Sequence, residues 1–198
     1  MTWVSSGGNP GGYVSVTDSV VGGVMYFVAP DAYFGNHSGA YGTALTFDLI
    51  QRYPDSPNQF DDDVGDVVLK GSGLTLAYDL ADNPVNGTWT PYSVPLTAGS
   101  WRLDSLNGPI ATPEQMQLVL SDITGLQIRA EYQTGPDTDG LDSVALSAAV
   151  APATAPEPST WAMLLMGFAS VGWLAHQRRR KVRWPDAGCV RRSPNSKF

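Results

Sequence analysis

From Pro158 to Ala175 the chain runs eighteen residues without a single charge. No other feature restricts the fold so strongly, because such a run must leave water somewhere. As a helix it is roughly 27 Å long at about 1.5 Å per residue. The hydrocarbon core of a bilayer is about 30 Å thick, so the run is a minimal span. Trp161 and Trp173 stand near its ends, where indoles favour the membrane–water boundary. Arg178, Arg179, Arg180, Lys181 and Arg183 follow at once. A basic block after a span stays on the cytoplasmic side, so the body is expected outside and the tail inside. The competing reading is a buried core helix with a basic flank.

Ahead of the span, Ala149–Pro158 reads AVAPATAPEP. Ala/Pro-rich chain is extended and has no internal hydrogen bonds to lose, so it can present a peptide to another protein. Pro156-Glu157-Pro158, an apolar span and an arginine cluster, in that order, resemble the PEP-CTERM sorting signal. The resemblance implies processing by exosortase, a membrane-embedded cysteine transpeptidase. Family members end soon after the arginines, whereas this chain continues from Val182 to Phe198.

The expected organisation is a body over 1–148, a linker with the motif over 149–158, a transmembrane helix over 159–177 and a basic tail over 178–198. Charge divides the same way. Residues 1–155 carry four basic and seventeen acidic side chains, a net of −13, and residues 156–198 eight basic and two acidic, a net of +6. An acidic body argues against nucleic acid, whose phosphates need Lys and Arg. The single cysteine, Cys189, lies in the tail, so the body has no disulfide and no thiol nucleophile. The first eight residues lack the basic and apolar regions of a signal peptide. Because a sorting tag presupposes export, the N-terminus is expected to be incomplete.

The body's apolar runs are short and separated by turn residues. Strands are expected at Tyr13–Thr17, Val24–Val28, Ala44–Gln51, Asp66–Leu69, Leu74–Asp79, Thr88–Pro95, Leu126–Tyr132 and Leu141–Ala148. Several alternate with period two: Leu45, Phe47 and Leu49 face one way, and Ala44, Thr46 and Asp48 the other. Gly71-Ser72-Gly73, Asn86-Gly87 and Asp139-Gly140 read as turns. One helix is expected over Pro113–Ile123, with Thr112 as cap, Pro113 in the first turn and Gln115 completing a capping box. The predicted fold class is all-β, an antiparallel sandwich or jelly roll with one short helix.

Several stretches, in order, resemble the laminin B domain (laminin domain IV) in its bacterial form. They are Gly8-Asn9-Pro10-Gly11-Gly12-Tyr13, Tyr26–Pro30, Gly35–Gly42, Leu45–Leu49, Thr90–Leu96 before Trp101, Val119–Ile123, Ile128–Tyr132 and Gly140–Val144. The resemblance implies a galactose-binding-like jelly roll, extracellular, with a matrix or carbohydrate role and no catalysis. Family members begin a strand or two earlier.

Candidate chemistry is sparse. Asp137, Asp139 and Asp142, with a glycine to turn the chain, read either as oxygen ligands for Ca²⁺ or as a solvated acidic turn. The spacing is not that of an EF-hand. Asp61-Asp62-Asp63 with Asp66 is a second acidic cluster, or an exposed linker. Gly7–Gly12 does not lead from a strand into a helix, so it is not a phosphate loop. His37 is the body's one histidine, and no nucleophile elbow accompanies it. Tyr41, Trp89, Tyr92 and Trp101 either stack on a sugar or fill the sandwich. The functional expectation is a non-catalytic cell-surface or matrix protein, held in the inner membrane as a precursor, with exosortase, the membrane and extracellular polysaccharide or matrix components as partners. The alternative is a carbohydrate-binding or carbohydrate-degrading module exported by the same route.

Overall fold

The computed structural model describes residues 1–19, 23–54 and 63–148. The sorting motif, the span, the basic cluster, Asp61 and Asp62 lie outside the described residues. Among the described residues, no helix is long and apolar enough to cross a membrane.

Among the described residues, ten strands and one α-helix follow one another. They are β1 (Thr2–Gly8), β2 (Gly11–Asp18), β3 (Tyr26–Val28), β4 (Ala44–Arg52), β5 (Val67–Gly71), β6 (Leu74–Tyr78), β7 (Thr90–Pro95), β8 (Arg102–Leu103), α1 (Pro113–Ser121), β9 (Ile123–Arg129) and β10 (Asp137–Leu146). They form two five-stranded sheets, ordered β1-β2-β10-β4-β7 and β3-β9-β5-β6-β8. Neighbouring strands pair antiparallel throughout.

Alternation sets which face is buried. Leu45, Phe47 and Leu49 of β4 lie in the core with Leu69 of β5, Leu76 of β6, Val94 of β7 and Leu126 and Ile128 of β9. Lone sheets cannot hide such a face, and stacking two of them does. The helix closes one end. Thr112 accepts the Gln115 N–H, and the Gln115 side chain accepts the Thr112 N–H at 2.8 Å, so the capping box forms. Met116, Val119 and Leu120 face inward. A Cβ on Gly71 would stand 2.5 Å from the Val119 and Asp122 carbonyl oxygens. Only glycine lets β5 approach the helix end so closely. Ile123, expected in the helix, opens β9 instead.

Two readings are corrected. Asp139-Gly140 is not a turn: both residues lie inside β10, which begins at Asp137. A Cβ on Gly140 would stand 2.8 Å from Ile50 Cγ2 and from the Tyr13 ring. The glycine therefore marks a close side-chain approach within a sheet. Secondly, β1 precedes the first expected strand. It closes with β2 around Gly8–Gly11, which accounts for the glycine-rich stretch Gly7–Gly12.

Candidate functional site

The inward face of each strand changes character along its length. On β4 the series Leu45, Phe47, Leu49 ends on Gln51, which is fully buried. On β2 the series Val14, Val16 ends on Asp18, also buried. In register beside them, Asp139 pairs with Val16 and Gln51, and Asp137 with Asp18. Glu131 and Gln133, beyond β9, are buried too. One end of the sandwich is thus apolar, and the other encloses four carboxyl side chains and two amides.

These groups are poorly matched to one another. Both carboxylate oxygens of Asp137, Oδ2 of Asp139, Oε1 of Glu131, both polar atoms of Gln51, Nε2 of Gln133 and the Tyr132 hydroxyl have no hydrogen-bond partner among the described residues. A buried polar atom without a partner costs about 1–3 kcal/mol. Burial first, and then the Asp137 charge, pushes the Asp139 carboxyl up to about 9. Asp137 rises to about 6, again chiefly through burial, and the nearby Asp139 and Gln51 side chains draw it down although neither reaches it with good hydrogen-bond geometry. Glu131 is raised by burial and then by Asp18 and Asp137. Glu131 Oε2 does accept the Met25 N–H at 3.1 Å.

Arg129 neighbours this cluster. Its Nη1 lies 3.3 Å from Asp66 Oδ1, its Nε donates to the Glu131 carbonyl at 2.6 Å, and its guanidinium sits 5.0 Å from the Tyr132 ring centroid. Asp66 also accepts the Leu80 N–H at 2.8 Å. Burial nevertheless dominates and lifts Asp66 to about 6, against the Leu80 hydrogen bond and the Arg129 charge. Asp66 is therefore committed inside. It does not join Asp63, which is exposed, in a surface acidic cluster.

The calcium set read from the sequence is divided. Asp137 and Asp139 share the inner face of β10. Asp142, three residues on from Asp139, points to the outer face. There it accepts the Asn9 backbone N–H, while Asn9 Nδ2 reaches Asp48 Oδ2 at 3.4 Å. The neighbours of Asp137 and Asp139 are instead Asp18, Gln51 and Glu131. Extending the period-two series of β2 and β4 by one step would have found the first two. Glu131, beyond the end of its strand, gives no such signal. Among the described residues, no three His, Cys, Asp or Glu side chains are arranged as a ready metal cage.

The four candidate sugar aromatics do not assemble. Trp101 is fully buried, its Nε1 donates to the Pro95 carbonyl at 2.7 Å, and it leans on Tyr78; it cannot stack on a sugar. Tyr92 stacks inward on Phe47 at 5.5 Å, and its hydroxyl donates to the Asp82 carbonyl. Tyr41 packs against the core. Trp89 alone faces the outside of its sheet, edge-on to Tyr13 at 5.2 Å, with Nε1 bound to the Gly7 carbonyl. His37 precedes the short turn Ser38–Ala40, and its backbone N–H binds the Leu120 carbonyl.

Comparison with known proteins agrees with this architecture. The family model for Laminin B (Domain IV) matches residues 26–162. That for the PEP-CTERM protein-sorting motif matches residues 154–180. Laminin subunit gamma-2 of Equus caballus is 32% identical over 142 residues, which is 68% of this chain and 11% of that protein. The basement membrane-specific heparan sulfate proteoglycan core protein of Mus musculus is 27% identical over 126 residues, 63% of this chain and 3% of that protein. The chain thus spans about a tenth or less of these relatives. Among solved structures, the L4b domain of human laminin alpha-2 superposes with a TM-score of 0.54 at 18% identity, covering 63% of this chain and 70% of that one.

Proposed function

The chain belongs to the Laminin B (Domain IV) family, and from that premise we propose that it is a non-catalytic bacterial surface or matrix protein, sorted by exosortase through its tag. A laminin B-type body followed by a PEP-CTERM signal makes an exported surface protein. The observation that carries the finer reading is their order in one chain: the body, then a sorting motif over residues 154–180 that contains Pro156-Glu157-Pro158. On this reading the precursor sits in the inner membrane through 159–177, with Arg178, Arg179, Arg180 and Lys181 as its cytoplasmic stop, and the matured body joins extracellular polysaccharide or matrix components.

The test uses a host that possesses exosortase, with a signal peptide supplied. Glu157→Ala is expected to leave full-length precursor in the membrane fraction, while wild type matures. Leu165→Arg is expected to release the precursor, since a mid-span charge costs roughly 2.5–3.5 kcal/mol on insertion. Equal maturation of Glu157→Ala and wild type would reduce the motif to a linker.

The same reading includes a structural Ca²⁺. The partnerless oxygens of Asp137, Asp139, Glu131 and Gln51 support it. Calcium takes six to eight such oxygens. Asp137 and Asp139, with Asp18, Glu131 and Gln51 Oε1, would hold the ion once drawn together. Its contribution is charge neutralisation, which fastens β2, β4 and β10 to the chain beyond β9. The carbohydrate-module alternative is left with Trp89 alone of its four aromatics, and a glycan array on the body separates the two readings.

A further inference from the structure

The groups that would hold the cation all come from strand ends. Asp18 closes β2, Asp137 and Asp139 open β10, Gln51 is the last residue but one of β4, and Glu131 lies two residues beyond β9. A strand end keeps its side chains aimed only while its backbone stays in the sheet. Arg129 steadies Glu131, its Nε donating to the Glu131 carbonyl at 2.6 Å. The Gln51 side chain is fully buried, and neither of its polar atoms has a hydrogen-bond partner among the described residues. The direction of that amide is therefore set by the backbone of β4.

On one side that backbone is held by β10, through the pairs Gln51–Asp139 and Arg52–Thr138. On the other side β7 reaches no further than Leu49, which pairs with Thr90. The turn Asn86-Gly87 takes over where β7 stops. Gly87 donates its N–H to the Gln51 carbonyl at 2.7 Å, with a φ of 73° that favours glycine. The Asn86 side chain grips Tyr53: Oδ1 accepts the Tyr53 N–H and Nδ2 donates to the Tyr53 carbonyl, both at 3.3 Å. A carboxamide carries donors and an acceptor together. Here it copies the peptide of a neighbouring strand and carries the ladder past the end of β7.

We infer that Asn86 is a positioning residue for the cation site: by pinning Tyr53 it keeps the end of β4 in the sheet and the Gln51 carboxamide turned inward. Asn86 itself is exposed, and neither of its hydrogen bonds reaches the acidic cluster. Its influence passes through Gln51. The inference rests on the structural Ca²⁺ proposed above and extends that site to a residue whose sequence context marks only a turn.

The experiment titrates Ca²⁺ into the chelator-stripped body, residues 1–150, by calorimetry, and melts each protein in chelator. That compact unit contains the whole described core. Asn86→Ala is expected to weaken Ca²⁺ binding about 10–100-fold, the usual loss when a group that orients a metal ligand is removed. Its melting temperature in chelator is expected to stay near the wild type's, because the lost bonds are exposed. Asn86→Gln, which keeps the carboxamide, is expected to recover part of the affinity. Asn107→Ala, at the body's other Asn-Gly pair, is expected to bind as wild type does. Should Asn86→Ala melt early, Asn86→Ser takes its place. A wild-type body that binds no Ca²⁺ overturns the cation reading and this inference with it. Wild-type binding that the Asn86 variant leaves unchanged overturns this inference alone. So does a loss of affinity that Asn86→Gln does not recover, or one that Asn107→Ala shares.

Discussion

Arg129 is 1% exposed and is held by Asp66, by the Glu131 carbonyl and by the Tyr132 ring. Removing one partner of a buried ion pair leaves the other charge stranded, a loss of about 3–5 kcal/mol. Arg129→Ala is therefore expected to destabilise the body by about that much in urea titration. The neighbouring acids act in the opposite sense. Asp66, Asp137 and Asp139 all have folded-state carboxyls raised above their ordinary range. The folded chain then holds protons that the unfolded chain has released. Without a cation, stability is expected to be highest near pH 4 and to fall as pH rises through about 6 and on towards about 9. Thermal melting in chelator against pH checks this. Millimolar Ca²⁺ should flatten the decline, adding about 2.7 kcal/mol at a hundredfold excess over its Kd. The gain should vanish in Asp139→Ala and survive in Asp142→Ala. A melting temperature indifferent to Ca²⁺ in the wild type would remove the ion from the site.

The elements were unequally legible, for identifiable reasons. β4 could be read directly, because Leu45, Phe47 and Leu49 alternate over a buried face. The helix was legible from Thr112, Pro113 and Gln115, since capping is local chemistry. β1 was not: its serines and glycines bury nothing, so no apolar period marks it. The start of β10 looked like a loop because Asp-Thr-Asp-Gly is turn composition, and only tertiary contacts put those residues in a sheet. The site suffered most. Two of its carboxylates stood out, while Asp18 and Gln51 come from distant parts of the chain, and Glu131, six residues before Asp137, lies beyond the end of its strand. Gly140 offers a test at this scale. Gly140→Val would drive its side chain into Ile50 and Tyr13, and the overpacking is expected to cost about 1–3 kcal/mol in urea titration.

At the scale of the whole molecule, β10 holds an unusual position: among the described residues it is the last strand in sequence, and it is the central one of its sheet. Five of its residues are in register with β2 and seven with β4. The chain beyond Leu146 leads to the sorting motif and the apolar span. In a protein attached to a cell through that end, every mechanical load enters at β10. A pull along a strand shears all its cross-strand hydrogen bonds together, whereas a pull across an edge peels them singly. Because β10 is flanked on both sides, tension along it is divided between two ladders. The acidic side chains at its far end, and any ion they hold, then act as a stop against withdrawal. On the attachment proposed above, the strand that takes the load is thus one gripped from both sides, as an anchor bolt is set in the middle of a wall and not at its edge.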